Sequence, residues 1–391
     1  MKSRIFTIAA AIFVSSVSFG GISSSASASS LADELRKITV DAEAEQLMID
    51  QSPVYQAVQK GVDLLAQKGL KSSDNASVYA FDPDQEKPEG TGRTIAVQVG
   101  TLNQSYLKMV AIGAEAALRD GDKIRVYSYD QDNERQLQQV ETMVASGVDV
   151  ILVQPQDPSA ASASARLANR SGVPMISMDL RLANEDDVAG FFLGDDYGIG
   201  YYGGLQLAKA YFDEHGDYNA KIMVYNSLSV TQLVVRQRGF MDAIANFPGM
   251  EIVSQVQGMW TTEAALGPIS DALVANPDVN AFWTIADPCT IAAVQVFREA
   301  GRPDIIVATN EATSWVVQMM EQDRVHAGLD LAPYAMGYGA VEMAYDLLDG
   351  TPFEKVQYVS QIPVFKDDYQ TLGVTYKIED DLLKSWTPPR D

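Results

Sequence analysis

The chemistry-bearing residues of this chain recur at one kind of place, just after apolar runs too short to be helices. Ile95, Ala96, Val97 and Val99 form such a run, and the turn Gly100–Tyr106 behind it carries Asn103, Gln104, Ser105 and Tyr106. Asp179 and Arg181 follow Pro174–Met178, Asp287 follows Ala281–Ile285, and Asn310 and Glu311 follow Ile305–Ala308. Asp330 stands near the end of Val325–Leu331, Trp260 follows Glu251–Val256, and Arg236 falls in the first turns of the helix after Tyr225. Any one of these carboxylates fits a helix N-cap, where Asp is favoured. As a set they suit a small polyhydroxylated molecule. A carboxylate accepts two hydrogen bonds from vicinal hydroxyls, Arg donates a planar fork, and a phenol or indole covers an apolar C–H face. Charged hydrogen bonds contribute roughly 1.5–3 kcal/mol each. A few of them with one stacked ring reach the ~8 kcal/mol of a micromolar site.

To meet in space, these residues need strands that end along a common edge. Ten strand-like runs, beginning with Ile95–Val99 and Ile124–Ser128 and ending with Val325–Leu331, alternate with helical patterns such as Leu137/Val140/Val144 and Met336/Ala340/Met343/Leu347. That alternation predicts βαβ units and parallel sheets. Ten strands are many for one open sheet, so the expected α/β fold has two doubly wound parallel-sheet lobes, with the change of lobe near Gly194–Gly198. Ligands bind such sheets beyond the carboxyl ends of the strands.

The N-terminus has Lys2 and Arg4, the apolar stretch Ile5–Val14 and small residues through Ala26-Ser27-Ala28. This is the layout of a secretory signal, with cleavage expected near Ala28. The apolar run is shorter than the ~20 residues of a spanning helix. The chain is therefore expected in the periplasm, with no direct membrane insertion. The formal charge is −23, and removal of Lys2 and Arg4 takes it to −25. Such a surface repels phosphate backbones, which argues against a nucleic-acid partner. Residues 29–92 form an acidic leader with a helical stretch around Val54–Leu65 and a Pro/Gly/Asp-rich linker, Phe81–Gly92.

Other chemistries find little support. Gly198-Ile199-Gly200-Tyr201-Tyr202-Gly203 formally matches a dinucleotide fingerprint, but Asp195 and Asp196 before it would repel a pyrophosphate. Close packing at a crossing between lobes is the simpler reason for its glycines. His215 and His326 are the only histidines, which disfavours a His-based zinc site. Cys289 is the single cysteine, so no intrachain disulfide can form. The expectation is a binding protein without cofactor or metal, rather than an enzyme.

The same stretches resemble the periplasmic sugar-binding proteins of the ribose/galactose type, which serve ABC importers. The resemblance spans Arg93 to Gly350. It rests on Val99–Tyr106, on Val148-Asp149-Val150-Ile151-Leu152-Val153-Gln154-Pro155 and on Gly172-Val173-Pro174-Met175-Ile176-Ser177-Met178-Asp179. Arg236-Gln237-Arg238-Gly239-Phe240 and Asp287 complete it in the same order and spacing. It implies a type I periplasmic binding fold, with two lobes joined by a three-crossing hinge and ligand held between them. Lobe 1 would be 93–195 and lobe 2 would be 196–331. Residues 332–365 would return to lobe 1, and 366–391 would be a C-terminal segment in lobe 2 or a tail.

Carried across, Gln104 and Tyr106 would be first-lobe contacts, with Tyr106 stacked on the sugar, and Asp179 would take ring hydroxyls. Arg236 and Trp260 would come from the second lobe, and Glu311 stands where the family usually has Asp. The chain departs from the pattern at Leu107, where a second aromatic is common, and at Ala286, which replaces an Asn. Leu180 separates Asp179 from Arg181, and Leu331 occupies a place often held by Gln. The ligand is thus expected to be a monosaccharide or polyol other than ribose. The partner would be a membrane permease, and the protein a monomer. Alternatives are a sugar-sensing or chemotaxis role, or an NAD-dependent enzyme. A related transcription regulator is disfavoured by the acidic leader and the signal.

Overall fold

Short β-rich runs alternate with amphipathic helices from Thr94 onward, and they fold as that alternation dictates. The structure, a computed structural model, describes residues 44–60, 86–227, 231–359, 361–365 and 381–389. The expected signal at 1–28 and most of the leader lie outside these residues. Two helices come first, α1 (44–51) and α2 (Pro53–Gln59). Lobe 1 then runs β1 (Thr94–Val99), α3 (Ser105–Ala116), β2 (Lys123–Ser128), α4 (Asn133–Ala145), β3 (Val150–Val153), α5 (Pro158–Arg170), β4 (Met175–Asp179) and β5 (Gly190–Gly194). Asp132 and Asp157 cap α4 and α5 by accepting backbone N–H groups, the role that suits Asp at a helix start.

Lobe 2 follows with α6 (Asp196–His215), β6 (Lys221–Asn226), α7 (Thr231–Ile244), β7 (Glu251–Gln257), α8 (Thr262–Ala275) and β8 (Ala281–Thr284). It continues through α9 (Asp287–Glu299), β9 (Ile306–Thr309), α10 (Ser314–Glu321) and β10 (Ala327–Asp330). The chain then recrosses through α11 (Pro333–Asp349) and β11 (Val356–Val359), and crosses again into β12 (Ile362–Phe365). A last short helix, α12, spans 381–385.

Two six-stranded sheets result, in the orders β11-β5-β4-β3-β1-β2 and β12-β10-β9-β8-β6-β7. Every pairing is parallel except β10 with β12. Each sheet buries apolar side chains on both faces, as parallel sheets must. Ile95, Val97, Met178 and Phe192 pack under α3 and α11, while Ala96, Ile151, Val153 and Phe191 pack under α4 and α5. Two of the expected boundaries need correction. Within 332–365, expected to return to lobe 1, β12 belongs to lobe 2 through its register with β10, Ala327 opposite Phe365. The described part of 366–391 packs on lobe 1 instead: Leu382, Leu383 and Trp386 join the core beside α3. Among the described residues, no helix is long and apolar enough to cross a membrane.

The fingerprint glycines have packing reasons. A Cβ on Gly200 would lie 1.7 Å from the carbonyl oxygen of Arg236, and one on Gly203 would lie 2.4 Å from Trp283 Nε1. Gly200 lets α6 lie directly against the backbone of α7, and Gly203 lets it lie against Trp283 of β8.

The described leader residues are docked on the hinge. Met48, Ile49, Val54 and Ala57 pack with Tyr197, Ile199, Tyr201 and Leu205 of α6 and with Leu329 and Leu331 near the second crossing. The Asp195 carboxylate at the first crossing accepts from Ser52 Oγ at 2.9 Å, Val54 N at 3.0 Å and Gly198 N at 3.0 Å. Burial raises the Asp195 pKa against the pull of these donors. Ser52 is also the N-cap of α2. Ser52→Ala is expected to lower stability by about 2–3 kcal/mol, from one lost cap and one lost bond to a buried carboxylate. Urea denaturation measures this. A change under about 0.5 kcal/mol would mean that the dock contributes nothing in solution.

Candidate functional site

The carboxyl ends of the central strands in both sheets deliver side chains to one interlobe cleft. On the lobe 1 side, α3 begins right after the β1 turn, which places Tyr106 in its first turn over the end of β4. The Tyr106 hydroxyl donates to Asp179 Oδ1 at 3.0 Å, and Gln154 Nε2 donates to Asp179 Oδ2 at 3.1 Å. Asp179 is the last residue of β4 and has φ +68°, a left-handed conformation that Asp tolerates better than bulkier residues. Burial, then the neighbouring Asp179 charge, holds the Tyr106 phenol well above its usual pKa, so it is a neutral donor and a ring at neutral pH.

On the lobe 2 side, α7 packs against α6, and the contact at Gly200 sets the position of Arg236. Arg236 Nε donates to Asp196 Oδ1 at 2.6 Å, and both side chains are largely buried. Burial lifts the Asp196 pKa to about 6, against the opposing pull of Arg236. Burial works against the Arg236 charge too, but the carboxylates of Asp196 and Asp179 more than offset it. The field of Arg236 therefore reaches Asp179 and Tyr106 across the cleft.

A second carboxylate pair stands where β8 and β9 end. Asp287 N donates to Glu311 Oε2 at 2.8 Å, and Thr313 Oγ1 donates to Asp287 Oδ2. Among the described residues, Asp287 Oδ1 has no hydrogen-bond partner. Burial and the adjacent Glu311 charge push the Asp287 carboxyl well above the usual range, and burial raises Glu311 as well. Two carboxyls this close and this dry do not ionise together readily. The pair can accept hydrogen bonds from ligand hydroxyls or donate one.

A cavity of about 140 Å³ opens beside these groups, lined on the lobe 1 side by Tyr106 and Met109 and on the lobe 2 side by Glu311, Trp315, Asp330 and Leu331. Its size is close to the ~150 Å³ that accommodates one benzene ring, so one six-membered ring fits. Asp330 ends β10 and accepts from Ala332 N at 2.7 Å, which supports the left-handed backbone of Ala332 at the second crossing.

The structure brings six of the ten expected residues to this cluster: Tyr106, Asp179, Arg236, Asp287, Glu311 and Asp330. Four fall elsewhere. Asn103 and Gln104 are exposed on the loop and do not line the cavity. Arg181 turns the other way, donating to Glu185, to Gln51 of the leader and to the Tyr358 hydroxyl at 3.2 Å. The reversal begins at Asp179, since Leu180 N donates back to Met178 O at 2.7 Å and sends the next residue behind the sheet. Trp260 follows β7 at the edge of the second sheet and packs against that lobe's two cores. The ring facing the cavity from lobe 2 is Trp315, in the first turn of α10. Reading the sequence missed it, although it lies four residues beyond Glu311 on the same strand exit. In the sequence Asp196 stands out only as a repulsive neighbour of the glycines, whereas its contact is the Arg236 ion pair.

Comparison with known proteins agrees with this architecture. A family profile described as a periplasmic binding protein domain matches residues 95–352. The chain is 26% identical over 224 residues to the ribose import binding protein of Salmonella typhimurium, covering 57% of this chain and 72% of that one. It is 27% identical over 236 residues to the D-ribose/D-allose-binding protein of Pseudomonas aeruginosa, covering 59% and 72%. Among solved structures, an ABC transporter solute-binding protein from Actinobacillus succinogenes with bound D-allose superposes with TM-score 0.65 at 24% identity, over 71% of this chain and 99% of that one. One from Bacillus halodurans with bound myo-inositol gives TM-score 0.65 at 18% identity, over 74% and 99%.

Proposed function

Because this chain belongs to the periplasmic binding protein family, we propose that it captures a monosaccharide or related polyol between its lobes and delivers it to an ABC importer. One observation carries this reading. Hydroxyl-binding groups from both lobes meet here: Tyr106 and Glu311 line one ring-sized cavity from the two lobes, and Asp179 and Arg236 stand beside it within electrostatic reach of both. The relatives named for ribose and allose import support it. Delivery from the periplasm follows from that family and from the signal-like N-terminus, cleaved near Ala28. The protein's work is binding and release rather than catalysis.

In this mechanism Asp179 and Glu311 accept from ring hydroxyls, Arg236 donates to a ring or anomeric oxygen, and Tyr106 and Trp315 cover the C–H faces. A ligand held by both lobes favours the closed arrangement through contacts that the open one lacks. The three crossings, after β5, after β10 and after β11, are where the backbone would turn.

A thermal-shift screen against pentoses, hexoses, deoxysugars and polyols tests the reading. A ligand at ~100 times its Kd adds about 2.7 kcal/mol of stability. A panel without any shift would sink the sugar assignment. With a ligand in hand, Asp179→Asn is expected to weaken binding about tenfold or more, since one charged hydrogen bond contributes at least ~1.4 kcal/mol. Calorimetry reads this directly, and an unchanged Kd would remove Asp179 from the site.

A further inference from the structure

The lining of the interlobe cavity is of two kinds. Tyr106, Glu311 and Asp330 offer phenol and carboxylate oxygens, while Met109, Leu331, Leu383 and the ring of Trp315 offer carbon surface. Leu383 does not come from the stretch that matches the family profile, 95–352. It belongs to α12, which is fastened to the outer side of α3. Lys108 Nζ donates to the Leu383 carbonyl, Trp386 Nε1 donates to Glu115 Oε2, and the Lys108 ammonium lies 5.8 Å from the Trp386 ring centroid. Leu382 and Trp386 join the core beneath. The C-terminal segment thus adds an apolar wall to the cleft, and Leu331 adds another at a position where a polar side chain would have offered hydrogen bonds.

We propose that this carbon surface is an apolar subsite that selects a sugar carrying a deoxy or methyl carbon over its fully hydroxylated counterpart, with Leu383 as a specificity-determining residue. This rests on the sugar-binding reading above. The cavity holds about one ring, so a substituent of a bound sugar that reaches Leu383 and Trp315 meets carbon surface. A methyl group there is buried against carbon. A hydroxyl there leaves water without an acceptor in return, and an unpaired buried polar group is penalised. One carbon gained or lost in an apolar pocket changes discrimination by about 10–200-fold.

The test is calorimetry on the full chain with matched pairs: L-fucose against L-galactose, D-fucose against D-galactose, L-rhamnose against L-mannose, and each methyl glycoside against its free sugar. In the pair that fits the cavity, the deoxy or methylated member is expected to bind at least tenfold tighter. Leu383→Ser is expected to bring that ratio down to about threefold, chiefly by weakening the deoxy or methylated member. Leu383 lies on a partly exposed segment, and the wild-type ratio stands as a test even if the variant folds poorly. Equal affinities within every pair that binds, tighter binding of the hydroxylated member, or an unchanged ratio in Leu383→Ser overturns the subsite. Binding of no member of any pair overturns the subsite, whereas the absence of any shift across the wider panel of pentoses, hexoses, deoxysugars and polyols overturns the sugar-binding reading itself, and this inference with it.

Discussion

Arg236→Met is expected to weaken sugar binding about a hundredfold or more and to make the protein's stability newly sensitive to pH. Removing one partner of a buried, hydrogen-bonded charge pair typically costs ~2–5 kcal/mol, much of it from the charge left behind. Here the charge left behind is Asp196, whose pKa burial has already raised to about 6 with Arg236 holding it down. Without the guanidinium that pKa rises further. The folded state of the variant then holds a proton that the unfolded chain gives up near the ordinary Asp value. A group with a raised folded-state pKa contributes stability at low pH and loses it as pH climbs through the folded pKa. Urea denaturation of Arg236→Met should therefore show a steeper loss between about pH 6 and 8 than wild type shows, and Asp196→Asn in the same background should flatten it. Arg236→Lys keeps the charge but not the planar fork, so binding should stay weak while the pH slope recovers. A Kd unchanged in Arg236→Met would take this residue out of the site. An unchanged pH slope would mean that Asp196 is solvated from elsewhere.

Much of this site was legible because βα units tie position to function. Tyr106, Asp179, Asp287 and Glu311 all follow directly on strands, and strand ends in a parallel sheet share an edge. What sequence could not supply was direction and edge order. Arg181 stands two residues after Asp179, yet the left-handed backbone at Asp179 and the Leu180–Met178 hydrogen bond point it at the leader. Trp260 also follows a strand, but β7 is an edge strand, so its ring packs at the flank of the lobe. Trp315 sits among apolar residues at helical spacing and reads as core until α10 is placed beside the cleft. The strand β12 is four residues long and is defined by antiparallel pairing with β10, a partner more than thirty residues earlier. The leader's polarity concealed its role as well, because its dock depends on Asp195, a carboxylate meaningful only at the hinge.

The other large effect expected is at Gly200, where alanine should lower stability by about 3 kcal/mol or more and weaken sugar binding without touching the ligand. Its Cβ would stand 1.7 Å from the Arg236 carbonyl oxygen and 2.9 Å from Phe240 N, both backbone atoms that no rotamer change can move. The helices α6 and α7 would have to separate along a contact that Gly204 and Gly239 hold equally close. Overpacking of this kind costs ~1–3 kcal/mol where side chains can adjust and more where they cannot. At about 2–4 °C per kcal/mol, melting should fall by roughly 6–12 °C. The binding loss follows from geometry. Arg236 leaves α7 at the point of contact, whereas its partner Asp196 leaves α6 one turn earlier. Moving the helices apart shifts the guanidinium relative to Asp196 and to Tyr106 and Asp179 across the cleft. Because the loss acts through Arg236, Gly200→Ala combined with Arg236→Met should weaken binding by little more than Arg236→Met alone, the non-additivity expected of coupled neighbours. Additive losses would mean that the close approach of α6 to α7 supports the fold but does not position the arginine.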